Sequence, residues 1–279
     1  MNILLTGATG FIGDLLIPRL LFLGHSISGV GRKAGRFNEI TYYKGDIARD
    51  EILNQIKIPI DIIIHAAANV HYSSGVDCFT DNVYGTYVIS KWAETNDVKR
   101  VIYLSTTGVY DNSQIKVDEE STVAPSSAYA MTKYLGENIL LTSSIPAVVL
   151  RITYLYGKSD NKSTLASLIQ SISNKQPVKM RNEKRDLLHV SDALDAITFS
   201  ITYQGDKHVF NIGAGKLYSL ETIAKYVMQE TGNEVSITIK GSRGNSEVNS
   251  NLARVELGWQ PKIDLESGLK EIIRNKPDV

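Results

Sequence analysis

The chain has 279 residues, of which 43% are hydrophobic and 22% are charged, enough to bury the core of one α/β unit or of a main domain with a smaller lobe. Its 30 basic residues balance its 30 acidic residues, which argues against a general affinity for nucleic acid or for an anionic membrane. The single cysteine, Cys78, excludes an intramolecular disulfide and a multi-cysteine metal site, and without a leader segment or an apolar run of roughly 18 residues we expect a metal-free cytoplasmic protein.

The first predicted unit is a strand, a glycine-rich turn and a helix. Three glycines spaced three apart follow a short apolar run, and apolar residues at helical spacing come directly after them. The first glycine permits the turn, the second lets backbone N–H groups approach a pyrophosphate, and the third lets the helix lie close to the strand. The helix start offers its N–H groups and positive dipole end to the phosphates. The residues expected to contact a dinucleotide here are Gly7, Thr9, Gly10, Phe11, Ile12 and Gly13. The alternative is a glycine-rich turn that binds no ligand.

The second strand, predicted over residues 26–30, indicates which dinucleotide is bound. In a Rossmann unit an acid about 20 residues after the glycines binds the ribose of NAD, whereas an arginine there accommodates the 2′-phosphate of NADP. Here the acid is missing, and Arg32 and Lys33 stand in the loop. This favours NADP over NAD, and the alternative is a pair of solvated loop cations.

The third and fourth predicted strands add further cofactor contacts. The third covers residues 41–47 and ends in Asp46 and Ile47, a carboxylate for the adenine amino group and an apolar side chain for its ring. The fourth, residues 61–65, is apolar on both faces, as a central parallel strand should be. Ala66, Ala67 and Ala68 follow it and leave room for a flat ligand where open α/β sheets bind their ligands, unless they only allow close helix packing. We interpret His65 as a packed, hydrogen-bonded residue.

Hydroxyl-bearing residues and a lysine come next. A helix predicted over residues 79–94 contains Asn82, and a strand over residues 101–104 leads into Thr106 and Thr107. Tyr129 and Lys133 then begin a helix, and a spacing of four places them on one helical face.

This spacing predicts proton transfer at an alcohol or ketone. A phenol has a pKa near 10, but a lysine ammonium and a positively charged nicotinamide both lower that pKa. Tyr129 would then exchange a proton with the substrate oxygen, Thr106 would hydrogen-bond to the same oxygen, and Lys133 would also hold the nicotinamide ribose.

The ordered motifs resemble the extended short-chain dehydrogenase/reductases, the NAD-dependent epimerase/dehydratase family. The resemblance covers nearly the whole chain. Its motifs are Gly7-Ala8-Thr9-Gly10-Phe11-Ile12-Gly13, Asp46-Ile47, His65-Ala66-Ala67-Ala68, Asn82-Val83-Tyr84-Gly85-Thr86, Ser105-Thr106-Thr107-Gly108-Val109-Tyr110, Tyr129 with Lys133, Leu150-Arg151 with Tyr156-Gly157, Arg185-Asp186-Leu187-Leu188-His189-Val190-Ser191-Asp192, Phe210-Asn211-Ile212-Gly213 and Glu256-Leu257-Gly258-Trp259-Gln260-Pro261.

The resemblance implies roles at the matching positions. It implies that Thr106, Tyr129 and Lys133 are the catalytic residues and that Asn82, within the cofactor site, supports the active-site strands and the lysine. It also implies a nucleotide-sugar or related hydroxy/keto substrate, held between a Rossmann domain of residues 1–156 and 187–212 and a lobe of residues 157–186 and 213–279. The residues expected to contact the substrate are Thr106, Thr107, Tyr154 and Arg243.

Departures from the family pattern narrow the activity. Thr107-Gly108 replaces the Asp-Glu pair that dehydratases carry, so elimination of water is disfavoured. Tyr154 replaces the usual asparagine, and Arg243-Gly244-Asn245 is what remains of an Arg-x-Gly-Asp stretch. Arg243 is therefore either a phosphate contact or a solvated loop residue.

We therefore predict a doubly wound parallel α/β sheet of the Rossmann type with a smaller mixed C-terminal lobe. The predicted activity is that of an NAD(P)-dependent nucleotide-sugar epimerase. The alternatives are an NADP-dependent ketoreductase and a non-catalytic dinucleotide sensor. Family analogy suggests a homodimer through the helices over residues 79–94 and 129–141.

Overall fold

Two compact units make up the chain. The computed structural model describes residues 1–48, 50–70, 75–111, 113–158, 163–243 and 246–274. The first unit comprises Met1–Asp111, Val123–Arg151 and Ala196–Phe210. The second comprises Asn112–Thr122, Ile152–Asp195 and Asn211–Val279. No helix within the described ranges is long and apolar enough to cross a membrane.

The strands and helices alternate along much of the described chain. The strands are β1 (Asn2–Thr6), β2 (Ser26–Gly31), β3 (Thr41–Lys44), β4 (Ile62–His65), β5 (Arg100–Thr106), β6 (Lys116–Val117), β7 (Ala147–Ile152), β8 (Tyr154–Tyr156), β9 (Val178–His189), β10 (Lys207–Ile212), β11 (Leu217–Ser219), β12 (Ile237–Arg243) and β13 (Glu247–Val248). The α-helices are α1 (Phe11–Phe22), α2 (Asp50–Leu53), α3 (Gly75–Phe79), α4 (Gly85–Thr95), α5 (Ala128–Thr142), α6 (Thr164–Ser173), α7 (Val190–Ile201), α8 (Leu220–Thr231), α9 (Asn251–Glu256) and α10 (Leu265–Arg274).

The first unit is built on a seven-stranded sheet in the order β10-β7-β5-β4-β1-β2-β3. The pairs β1–β2, β1–β4, β2–β3 and β4–β5 are parallel. Ile62, Ile63 and Ile64 are buried, so β4 meets apolar groups on both faces, as its composition predicts. The order reverses between β1 and β4, which defines the crevice where doubly wound sheets bind ligands. The predicted doubly wound α/β fold is confirmed.

The second unit contains a mixed sheet. Strand β9 pairs with β11 in antiparallel and with β12 and β8 in parallel orientation, and β6 pairs with β13. Helix α8 starts at Leu220, because the Ser219 hydroxyl accepts a hydrogen bond from the N–H of Thr222 at 2.9 Å. Its buried Leu220, Ile223 and Val227 belong to an apolar core shared with α6 and α10.

Two predicted elements differ from the observed ones. The third strand ends at Lys44 and not at residue 47, because Asp46 turns the chain by accepting the N–H of Ala48 at 3.0 Å. The helix predicted over residues 79–94 consists of α3, a π-helical turn at Thr80–Tyr84 and α4. A π-helical turn is not visible in a hydrophobic pattern, because that pattern reports only the average helical period.

Candidate active site

The glycine-rich turn lies against the segment that follows β4. Gly7 has a φ of +68°, and a Cβ atom there would lie 2.8 Å from the backbone nitrogen of Ala67. A Cβ atom at Gly13 would lie 2.3 Å from the carbonyl oxygen of Gly7. Both positions therefore need glycine. Helix α1 begins at Phe11, after an exposed Gly10, so the glycine-rich turn and the first N–H groups of the helix, which have no partner within it, form a cradle of the kind that binds phosphate groups.

The end of β2 carries positive charge and no acid. Arg32 follows Gly31 and is exposed, and its Nη1 lies 3.5 Å from Oδ2 of Asp81. A Cβ atom at Gly31 would lie 3.1 Å from Oγ1 of Thr9, a close contact with the side chain of the glycine-rich turn. The end of β2 therefore lacks the ribose-binding acid that is typical of NAD sites.

A second arginine near this strand was missed by the sequence reasoning. Arg36 donates two hydrogen bonds to Asp14, at 2.8 and 2.7 Å, in a bidentate pair. The sequence feature that could have drawn attention to Arg36 is its place as a third cation, after Arg32 and Lys33, in the loop that follows β2. Ile47, expected against the adenine ring, is buried, and the Asp46 carboxylate accepts the N–H of Ala48.

A directed hydrogen-bond chain joins the ends of β1 and β4. The N–H of Ala67 donates to the Thr6 hydroxyl at 3.2 Å, and the Thr86 hydroxyl donates to the carbonyl of Asn82 at 2.6 Å. Because the Thr86 hydroxyl already donates its hydrogen to Asn82, its oxygen accepts a hydrogen bond from the Nε2–H group of His65 at 3.0 Å. Nδ1 of His65 then carries no hydrogen and accepts one from the Thr6 hydroxyl at 2.7 Å. Burial lowers the pKa of His65 to about 3, so the ring is neutral. Ala66 is half-buried, and Ala68 is exposed at the same strand end.

Asn82 fastens the segment after β4 to helix α5. Its Oδ1 accepts the N–H of Asn69 at 2.7 Å, and its Nδ2 donates to the carbonyl of Asn69 at 3.0 Å. The same Nδ2 donates to the Thr132 hydroxyl at 2.9 Å, and that hydroxyl donates to the carbonyl of Tyr129 at 2.8 Å. The π-helical turn places this amide inside the unit, where it supports the turn of α5 that carries Tyr129.

Strand β5 and helix α5 carry the residues predicted to be catalytic. Thr106 is the last residue of β5, and its hydroxyl accepts the N–H of Gly108 at 3.1 Å in the 3-10 turn that Thr107 begins. Helix α5 is capped by the Ser127 hydroxyl, which places Tyr129 in its first turn and Lys133 one turn later.

Lys133 is an unusual helix lysine because it is 1% exposed. Burial lowers its pKa from 10.5 to about 7, and the nearby Glu137 and Cys78 offset part of that effect. Near neutral pH Lys133 is therefore present in both its protonated and its neutral form. A lysine with a strongly shifted pKa is typical of functional sites.

A buried ion pair lies one turn beyond Lys133. Nε of Arg151 donates to both carboxylate oxygens of Glu137 at 3.2 Å, and its Nη2 donates to Oε2 at 2.7 Å. Nη1 of Arg151 donates to the Tyr110 hydroxyl at 2.9 Å, and the Ser105 hydroxyl donates to Glu137. Burial lowers the pKa of Arg151, but the hydrogen bonds and charge of Glu137 outweigh that effect and raise it.

The remaining predicted site residues belong to the second unit. Tyr154 in β8 is half-buried, and the guanidinium of Arg185 lies 4.4 Å from its ring centroid. Nε of Arg185 also donates to Glu183 at 2.8 Å. Arg243 ends β12, but its side chain lies outside the described residues. Among the residues that the structure does describe, no group of three or more His, Cys, Asp or Glu side chains could hold a metal ion.

The fold and the cradle at the β1–β4 crevice define a dinucleotide-binding α/β enzyme of the Rossmann type. Residues 3–213 match the NAD dependent epimerase/dehydratase family, and the chain belongs to that family. It is therefore an enzyme of the extended short-chain dehydrogenase/reductase type.

Individual relatives are similar over nearly their whole length. The UDP-glucose 4-epimerase of Halalkalibacterium halodurans is 27% identical over 94% of this chain and 91% of its own. The dTDP-4-dehydro-6-deoxyglucose reductase of Escherichia coli is 26% identical over 98% of this chain and 97% of its own. Among solved structures, the UDP-glucose 4-epimerase of Thermotoga maritima with UDP-glucose has a TM-score of 0.90 and 25% identity, with 98% of each chain covered.

Proposed function

We propose that this protein is an NAD(P)-dependent epimerase that acts on a nucleotide sugar by reversible hydride transfer at a secondary alcohol. The observation that carries the proposal is the buried Lys133, one helical turn after Tyr129, on the helix that Asn82 and Thr132 fasten in place. Relatives named as sugar-nucleotide enzymes support the substrate class.

The proposed chemistry uses a tyrosine as acid and base. When bound, the nicotinamide cofactor supplies a reversible acceptor for hydride. Lys133 stabilises the phenolate of Tyr129, which removes the proton from the substrate hydroxyl as the carbon–oxygen double bond forms. Thr106 orients that oxygen by a hydrogen bond. Once the ketone has turned over in the site, Tyr129 would return the proton to its oxygen as the other face of the carbonyl is reduced, and the carbon would be inverted.

For the cofactor, we propose NADP rather than NAD. Gly31 leaves no acid at the end of β2, and Arg32 stands exposed beside it. The proposed cofactor contacts are the glycine-rich turn, Asp46 and Ile47, the three alanines after β4, Asn82 and the pair Tyr129 and Lys133. The proposed substrate contacts are Thr106, Thr107, Tyr154 and Arg243. We further propose that the protein is a homodimer.

Arg32 also favours a second candidate, an NADP-dependent ketoreductase, because a reductase must exchange its cofactor in every cycle. A sugar-nucleotide reductase among the relatives agrees with this candidate. Cofactor fluorescence separates the two. Added sugar nucleotide should give transient reduced cofactor without net consumption in an epimerase, and stoichiometric oxidation of NADPH by a keto sugar in a reductase. A third candidate, a non-catalytic sensor, would give neither signal.

Replacing Tyr129 with Phe tests the proposed mechanism. The ring is retained while the ionisable oxygen is lost, so turnover should disappear while the cofactor dissociation constant stays within a few-fold of wild type. Steady-state rates and fluorescence titration measure the two effects. Tyr134→Phe, on the same helix, is the matched control and should keep its rate. Near-wild-type turnover in Tyr129→Phe would remove this residue from the mechanism.

A further inference from the structure

Tyr103 lies directly beneath the Lys133 ammonium. It is fully buried in β5, and Nζ of Lys133 lies 3.8 Å from the centroid of its ring. An ammonium over an aromatic face is attracted by the ring quadrupole, and the attraction is stronger where water is excluded, as it is here. No motif in the sequence singles out this tyrosine.

The ring is held in place from several sides. The Tyr103 hydroxyl donates to the carbonyl of Lys133 at 3.4 Å. The ring of His65 lies 5.5 Å away, centroid to centroid, and it is neutral, so it does not repel the ammonium at ordinary pH. At Gly136 a Cβ atom would lie 2.2 Å from the Tyr103 hydroxyl oxygen. A mid-helix glycine costs α5 roughly 1 kcal/mol relative to alanine, and here it makes room for that hydroxyl.

The other titratable groups near Lys133 stabilise its ammonium less directly than the Tyr103 ring does. Glu137 on the same helix is engaged by Arg151 of β7, which donates to both of its oxygens. Cys78 of α3 is the other group that favours the charged lysine, while His65 of β4 is neutral. Tyr129 lies one turn away on the helix itself. Among the described residues, the face of Tyr103 therefore lies directly against Nζ of Lys133.

We propose that Tyr103 is a positioning residue whose ring face carries the Lys133 ammonium and directs it along α5 towards Tyr129. Helix side chains lean towards the helix N-terminus, which for Lys133 is the turn that contains Tyr129. The inference rests on the proposed function for its catalytic consequence, but the interaction itself can be measured without turnover.

The experiment compares Tyr103→Leu, which removes the ring, with Tyr103→Phe, which retains it. In lysine-labelled protein, NMR titration follows Lys133, and Lys133→Met identifies its signal. The Lys133 pKa should fall by roughly one unit in Tyr103→Leu and stay near wild type in Tyr103→Phe. The alkaline limb of the kcat profile should move by the same amount, so that kcat at pH 8 falls roughly tenfold while KM changes little.

Ile102→Ala is the control, because Ile102 is also buried in β5 but points to the opposite face of the sheet. Ile102→Ala should lower the Tm without moving the midpoint of the Lys133 titration or that of the alkaline limb of the kcat profile. If Tyr103→Leu does not fold, fluorinated phenylalanines at position 103 weaken the ring quadrupole without changing its shape, and the Lys133 midpoint should fall with each added fluorine.

Unshifted Lys133 midpoints in Tyr103→Leu or across the fluorinated series would overturn the proposal. Equal shifts in Tyr103→Leu and Ile102→Ala would also overturn it, since they would reflect general loosening. If the wild-type protein turns over no sugar nucleotide, the proposed function fails, while the NMR titration still decides the role of Tyr103.

Discussion

At Lys133, a charge that would normally face water is buried among helices and strands. Because burial lowers its pKa from 10.5 to about 7, the unfolded chain binds this proton more readily than the folded chain over that range. The residue therefore weakens the fold near neutral pH, and this cost disappears as the pH rises from 7 to above 10.5. A buried side chain that destabilises the fold, and that nearby residues nevertheless hold in place, is typical of a functional site.

A substitution at Arg32 tests whether the protein prefers NADP to NAD. Because it is exposed and its ion pair with Asp81 is long, the proposed role is to bind the 2′-phosphate of NADP. Arg32→Ser should weaken NADPH binding roughly tenfold, equivalent to one charge-assisted hydrogen bond, and leave NADH binding nearly unchanged. Fluorescence titration measures both. Lys99→Ser, which breaks another exposed ion pair, is the control. Equal losses for both cofactors would contradict a phosphate contact.

Among the elements, β5, α5 and β7 are joined by the buried pair of Glu137 and Arg151. Removing one partner leaves the other charge buried and unpaired, so Arg151→Met should lower the free energy of unfolding by about 3–5 kcal/mol. The double variant Glu137→Met with Arg151→Met should recover much of that loss, because neither charge is then buried alone.

Urea unfolding of these variants measures the difference. Lys91→Met breaks the exposed pair of Lys91 with Glu94 and should cost less than about 1 kcal/mol. A loss in Arg151→Met no larger than this control would show that the buried pair does not stabilise the element junction.

Sequence patterns predicted the elements that carry strong local signals. The glycine spacing placed the turn between β1 and α1, and the apolar run at Ile62 placed β4. The pairing of Glu137 with Arg151 was not predictable, because a charged residue on a helix usually faces solvent and its partner is on a distant strand. For the same reason the support of Lys133 by Tyr103 appears only in three dimensions.

For the molecule as a whole, equal numbers of acidic and basic residues leave no net charge to oppose self-association. Exposed apolar side chains lie on α3, the π-helical turn, α4 and α5, in the helices predicted to form a dimer. They include Phe79, Tyr84, Tyr87 and Met131, each 44–50% exposed. The rings of Tyr84 and Tyr87 lie 6.1 Å apart in a stacked arrangement. These side chains would make an apolar centre for a two-fold interface.

We therefore expect light scattering to give the mass of a dimer, and Tyr84→Glu combined with Tyr87→Glu to give that of a monomer, because two carboxylates on each copy would be buried without partners. Phe22→Glu is the matched control, since Phe22 is 91% exposed at the end of α1, outside these helices. Helix α5 carries the residues proposed to be catalytic, so turnover should fall in the monomer while the cofactor cradle keeps its affinity. A wild-type monomer, or a double variant that stays dimeric, would place the subunit interface elsewhere or exclude it.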